Sequence, residues 1–150
     1  MPQSLANVIL HIVFSTKHRH PFIDAPVEEL LHKYLGGICR ELGCPSHAIG
    51  GVEDHVHVAC SLSRTLAISK LVEELKTGSS KWMKSKGARY GEFAWQNGYG
   101  AFSVGQSQLE DLRRYIGNQR QHHQAASFQD EYRCLLRKYD VDFDERYVWD

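Results

Sequence analysis

Two histidines separated by one residue, His55 and His57, stand in the run DHVHVAC that spans 54–60. The β-branched residues between and after them predict a strand, in which side chains alternate faces; both imidazoles then point one way and Val56 and Val58 the other. Neutral imidazole is the commonest metal ligand, so the pair is half of a metal site. The rest must come from elsewhere. Asp54 and Cys60 have opposite parity in a regular strand, and the next glutamate after His57 is Glu73, too distant for a cupin-type site. Further along, Tyr115 and Gln119 are spaced i, i+4 and lie one above the other on a helix, beside an apolar stripe of Leu109, Leu112 and Ile116. Gln119 offers a hard amide oxygen, and Tyr115 a phenol that can act as a covalent nucleophile. Each residue alone also fits a plainer role: exposed imidazoles, a packing tyrosine, a surface amide. His122 and His123, beyond Gln119, are expected to face solvent.

The elements that must position these groups follow from periodicity. Residues 7–14 (NVILHIVF) predict a buried strand, and from Pro26 to Leu42 the apolar Val27, Leu30, Leu31, Tyr34, Leu35 and Ile38 recur at helical spacing. Residues 47–51 and 55–62 predict a hairpin around Gly50, Gly51, Glu53 and Asp54, followed by a helix over 66–84 that Gly87 closes. The aromatic, glycine-rich 93–104 feeds a fourth strand near 101–104. Ser107 and Glu110 form an S-x-x-E capping box for a third helix running to about Gln124, and Ser127 caps another through Tyr139 with Phe128, Tyr132, Leu135 and Leu136 on one side. Strand, helix, strand, strand, helix, strand is the split βαβ order of an α+β, ferredoxin-like sandwich: an antiparallel sheet with helices on one face, plus C-terminal helices. One domain is expected over 1–150, with a core of about 5–125 and a C-terminal helix and acidic tail over 127–150.

At 150 residues, 42% hydrophobic and 24% charged, the chain is composed as a globular domain rather than a disordered one. No stretch reaches the roughly 18 apolar residues of a spanning helix, and the first ten residues lack a signal-peptide pattern, so no membrane partner and a cytoplasmic location are expected. The four cysteines form no CxxC pair and are expected to be reduced, buried thiols. Net charge is zero, yet 76–138 carries 11 basic against 5 acidic residues and 139–150 carries 1 against 5. Within 76–91 there are five basic residues and no acidic one, a stripe suited to phosphates or to a solvated helix face.

Four blocks in order, HIVFSTKHRHPF (11–22), DHVHVAC (54–60), WQNGYGAFSV (95–104) and YIGNQ (115–119), resemble the insertion-sequence-200-like transposases, which are single-tyrosine HUH endonucleases. The resemblance implies that His55, His57 and Gln119 hold one divalent cation, Mg2+ or Mn2+, and that Tyr115 is the nucleophile. It further implies single-stranded DNA with hairpin ends as substrate, cut and rejoined by transesterification through a 5′-phosphotyrosine. The working unit would be a homodimer with composite sites, the tyrosine helix of one subunit serving the histidines of the other. Lys17, Arg19, Lys81, Lys84, Arg89, Arg113 and Arg114 are the candidate phosphate contacts, with Trp82 and Trp95 as stacking surfaces or core residues. Two competing readings are a domesticated relative that binds or processes repeated genomic hairpins and a metal-dependent hydrolase that uses the histidine pair without DNA.

Overall fold

The computed structural model describes residues 2–149. Four strands, β1 (Ile9–Ser15), β2 (Ser46–Val52), β3 (His55–Ser61) and β4 (Gly100–Val104), form one antiparallel sheet in the order β2-β3-β1-β4. Helices α1 (Ala25–Glu41) and α2 (Ile68–Lys84) are the crossovers of the split βαβ pattern. Both lie on one face of the sheet. Leu10, Ile12 and Phe14 of β1 and Val56, Val58 and Cys60 of β3 meet Leu31, Leu35, Leu71 and Leu75 there in the main core.

The opposite face carries the polar set. Alternation puts His11, Val13, His55, His57 and Phe102 on this side, with His57 paired to Val13 and His11 to Phe102 across the strands. It is covered by α3 (Leu109–Gly117), the short α4 (Gln119–His122) and α5 (Phe128–Lys138). Val13 and Phe102 form a second apolar cluster with Phe128, Tyr132, Leu135 and Leu136 of α5. The Ser127 hydroxyl accepts from the Asp130 backbone N–H at 3.1 Å and caps α5, as its sequence predicts.

The third predicted helix differs in two ways. It begins at Leu109 after a 3-10 turn over Gln106–Gln108, and the side chain that reaches back to the Gly105 N–H is Gln108, so Ser107 and Glu110 do not make the expected box. Glu110 instead pairs with Arg113. The helix also breaks at Asn118 (φ −100°, ψ 18°), which places Tyr115 on α3 and Gln119 on α4. Arg120 fastens α4 to the rest of the fold through Glu53 in the β2–β3 turn at 2.7 Å and Glu28 of α1 at 3.0 Å.

Two glycines let the covering helices approach the sheet. A Cβ on Gly50 would lie 2.7 Å from the Ile116 carbonyl oxygen and 2.8 Å from its Cγ2, and one on Gly100 would lie 2.7 Å from Tyr132 Cε1. Neither distance is sterically tolerable, so α3 rests on β2 and α5 on β4 only because these positions are bare. Gly50→Ala is expected to lower unfolding stability by about 1–3 kcal/mol, as overpacking does, measured by denaturant unfolding; an unchanged midpoint would mean that α3 is not seated on β2.

Candidate metal and nucleophile site

His55 and His57 are both fully buried on the α3–α5 face of β3, two residues apart as the alternation requires. Each is oriented through Nδ1. His55 Nδ1 donates to Asp54 Oδ1 at 2.7 Å, and His57 Nδ1 lies 2.7 Å from His11 Nε2. Asp54 escapes the strand parity expected of it because β3 starts at His55; Asp54 belongs to the turn, where alternation does not apply. Such partners fix the tautomer and direction of a ligating imidazole.

The Nε2 atoms converge on a carboxylate that the sequence reading passed over. Glu131, buried on α5, brings Oε1 to 3.0 Å from His57 Nε2, 3.3 Å from His55 Nε2 and 3.0 Å from His123 Nε2. Its Oε2 accepts from Gln119 Nε2 at 2.8 Å and from the Tyr115 hydroxyl. Gln119 is buried rather than on an outward edge, and its Oε1 faces His55 Nε2 at 2.9 Å. The i, i+4 pair therefore reaches one point despite the break at Asn118. His123 departs from expectation as well: the chain turns after His122, the ring swings inward to 8% exposure, and its Nδ1 donates to the Ala126 carbonyl at 2.7 Å.

Charge is shared tightly among these groups. Burial opposes charge on His55, yet the Asp54 and Glu131 carboxylates outweigh it and raise its pKa to about 9. Burial disfavours the Glu131 carboxylate, but hydrogen bonds from His123, His55 and His57 hold it far below the ordinary carboxylate range. Burial pushes the Tyr115 phenol well above its usual value, and the Glu131 charge pushes it further. Burial lowers His11 to about 3, with the neighbouring His57 adding to the effect, which keeps its imidazole neutral.

This donor set fits a divalent cation. His55, His57 and Glu131 offer atoms all within 4.8 Å of one another, with the Gln119 oxygen alongside. Adjacent ligands of an octahedral ion bound at about 2.1 Å lie about 3.0 Å apart, and the edges here are 2.9, 3.0 and 3.3 Å. A proton bridging these pairs and a cation replacing it need nearly the same spacing, which is why metal binding competes with protons at such sites.

The basic candidates are dispersed. Arg89 pairs with Asp24 at 2.6 Å, Arg113 with Glu110 and Arg114 with Asp111, while Arg19 donates to the Trp149 carbonyl at 3.5 Å. Lys17, Lys81 and Lys84 are exposed and form no ion pair among the described residues. Lys76, first in the acid-free stripe, is spent internally on the Gln96 and Gly98 carbonyls, each at 2.7 Å. Trp95 is buried between Phe14 and Phe93, and Trp82 stacks half-buried on Tyr34. Three cysteines are buried as expected, but Cys134 is exposed and lines a cavity beside Tyr115 and Glu131.

Glu131 was legible in principle. It occupies the apolar stripe Phe128, Tyr132, Leu135 at helical spacing, and a lone acid inside such a stripe needs a buried partner. His11 likewise interrupts a buried strand. With a cation on His57 Nε2, the Nδ1 proton must go to His11 Nε2. Replacing that acceptor in His11→Phe is expected to weaken Mn2+ binding 10- to 100-fold, the usual cost of losing such a partner, as read by calorimetric titration; unchanged affinity would remove His11 from the site.

Comparison with known proteins bears on the family and the fold. The family described as "Transposase IS200 like" matches residues 4–119. A solved structure from Deinococcus radiodurans R1, described as a transposase, superposes with a TM-score of 0.62 at 24% identity, covering 79% of this chain and 98% of that one. The REP-associated tyrosine transposase bound to a REP hairpin superposes with a TM-score of 0.61 at 13% identity, covering 82% of this chain and 72% of that one. No curated protein matches. Among the described residues no helix is long and apolar enough to cross a membrane. The matched segment runs from before β1 to Gln119 and takes in His55, His57 and Tyr115 with the whole ferredoxin-like sheet, so this chain belongs to the IS200-like transposase family.

Proposed function

We propose that the chain is a single-tyrosine DNA endonuclease and strand transferase acting on single-stranded DNA with hairpin ends. The observation that carries this reading is the convergence of a phenol and a cation-ligand set on one buried carboxylate: the Tyr115 hydroxyl, Gln119, His55 and His57 all meet Glu131. His55, His57 and Gln119, with Glu131 added, would hold Mg2+ or Mn2+. Bound there, the cation supplies a Lewis acid for a phosphate oxygen.

The protein's own groups do the rest. The Tyr115 oxygen attacks phosphorus in line and loses its proton; the bond from phosphorus to the 3′-oxygen breaks, and that oxygen leaves as a 3′-hydroxyl after taking up a proton. The product is a 5′-phosphotyrosine. It conserves the phosphodiester bond energy, so attack by another 3′-hydroxyl joins strands with no further energy source. Lys17, Lys81 and Lys84, without internal ion pairs, are the readiest phosphate contacts, whereas Arg19, Arg89, Arg113 and Arg114 would exchange present partners for DNA. The hairpin carried by the REP-associated relative supports this substrate class.

Incubating the protein with Mn2+ and 3′-labelled single strands that flank its gene is expected to give a covalent adduct on a denaturing gel. Tyr115→Phe should reduce that adduct to background while Mn2+ binding persists. An adduct of normal yield in the variant assigns the nucleophile elsewhere, and no adduct from the wild type favours a DNA-binding or hydrolytic relative.

The resemblance implies a homodimer with composite sites, whereas here Tyr115 meets the histidines of its own chain, the Tyr115 and His57 rings standing 5.7 Å apart. That arrangement favours a site complete in cis. A purified heterodimer of Tyr115→Phe and His57→Ala subunits is then expected to nick no faster than either parent. Recovery towards half of wild-type activity would establish the trans site.

A further inference from the structure

Arg120 follows Gln119 directly and stands just past the end of the family segment. The short helix that carries both has little of its own to hold it. α4 is four residues long, too short to be stable alone, and Gln119 is its buried residue. The break at Asn118 also separates it from the axis of α3. Its anchor is the Arg120 guanidinium, whose Nη1 donates to Glu53 Oε1 at 2.7 Å and whose Nη2 donates to both oxygens of Glu28, at 3.1 and 3.0 Å. We propose that Arg120 is a positioning residue for the metal centre: by tying α4 to the β2–β3 turn and to α1, it fixes the Gln119 amide oxygen against the histidine pair. The inference rests on the metal centre proposed above and adds a residue outside its ligand set.

The anchor joins the two segments that must meet. Glu53 precedes Asp54, whose carboxylate orients His55 through Nδ1, and Arg120 follows Gln119, whose Oε1 faces His55 Nε2 at 2.9 Å. The turn is braced in its own right. The Glu53 carbonyl accepts from the Ile23 N–H at 3.0 Å and the Asp54 carbonyl from the Thr16 N–H at 2.8 Å, while Glu28 sits in the first turn of α1. Arg120 therefore holds α4 to fixed points.

A single exposed ion pair contributes little to stability. Here one planar fork engages carboxylates from two separate elements, Glu28 through both oxygens, and such a fork sets direction as well as distance. Direction matters for this ligand in particular. Affinity at oxygen ligands follows their charge and the rigidity of the site; Gln119 brings no charge, so its contribution depends on being held in place.

The test is a calorimetric titration of the metal-free, full-length protein with MnCl2. Arg120→Ala should weaken binding about three- to tenfold, the range open to two partly exposed ion pairs. Arg120→Lys, a point charge without the fork, should fall between the two. In a Gln119→Ala background, Arg120→Ala should cause no further loss, because the residue acts through Gln119. Hydrogen exchange of the metal-free protein should quicken in Arg120→Ala at residues 119–123 and stay unchanged in the sheet. Unchanged Mn2+ affinity in Arg120→Ala, an equal loss in the Gln119→Ala background, or a uniform rise in exchange overturns the positioning role and leaves the metal centre standing. A wild-type chain that binds no Mn2+ overturns both.

Discussion

The Glu131 carboxylate is the point on which the functional face is built. A buried charge is tolerated only when paired and hydrogen-bonded, and here imidazoles from two elements, an amide and a phenol satisfy it. Each partner belongs to a different part of the chain: His55 and His57 to β3, Tyr115 to α3, Gln119 to α4, His123 to the turn after it. One acidic side chain thus sets the distance between the sheet and three separate helices. Removing it would leave several buried polar groups facing one another, a larger penalty than the loss of any one bond.

The sheet serves this arrangement through a division of its faces. The side packed on α1 and α2 is apolar and provides the cohesion of the domain, while the other side alternates histidines with small or aromatic residues. Gly50 and Gly100 sit at equivalent depths on the outer strands, each paired through β3 or β1 to the centre, and each admits a covering element. Bare backbone at the flanks and polar rings in the middle give a shallow trough, into which α5 lays Glu131.

Much of the sandwich could be read from the chain. β1 is a continuous β-branched apolar run, and α1, the hairpin and α2 carry clear periodic or turn signals, so their positions agree with the structure to within a residue or two. The strict alternation in HVHV placed both imidazoles on one face. Local signals failed where tertiary packing decides: S-x-x-E satisfied the form of a capping box at Ser107, but Gln108 makes the bond, and the break at Asn118 has no proline to announce it. The site was half legible for a related reason. Strand parity finds residues close in sequence, whereas Glu131 and His123 meet the histidines only through the packing of α5, and a fitting acid on an apolar stripe declares a partner without naming it.

The roof that α5 makes over the sheet also sets a thermodynamic toll on any ligand of the inner histidines. Their side chains have no accessible surface, so a ligand from solvent can reach them only in conformations where the roof has lifted, and the affinity observed equals the intrinsic affinity multiplied by the population of those conformations. Each tenfold scarcity of the lifted form subtracts about 1.4 kcal/mol from binding. Under the proposed function, a strand held firmly at the exposed lysines would offset that cost, and one held weakly would not.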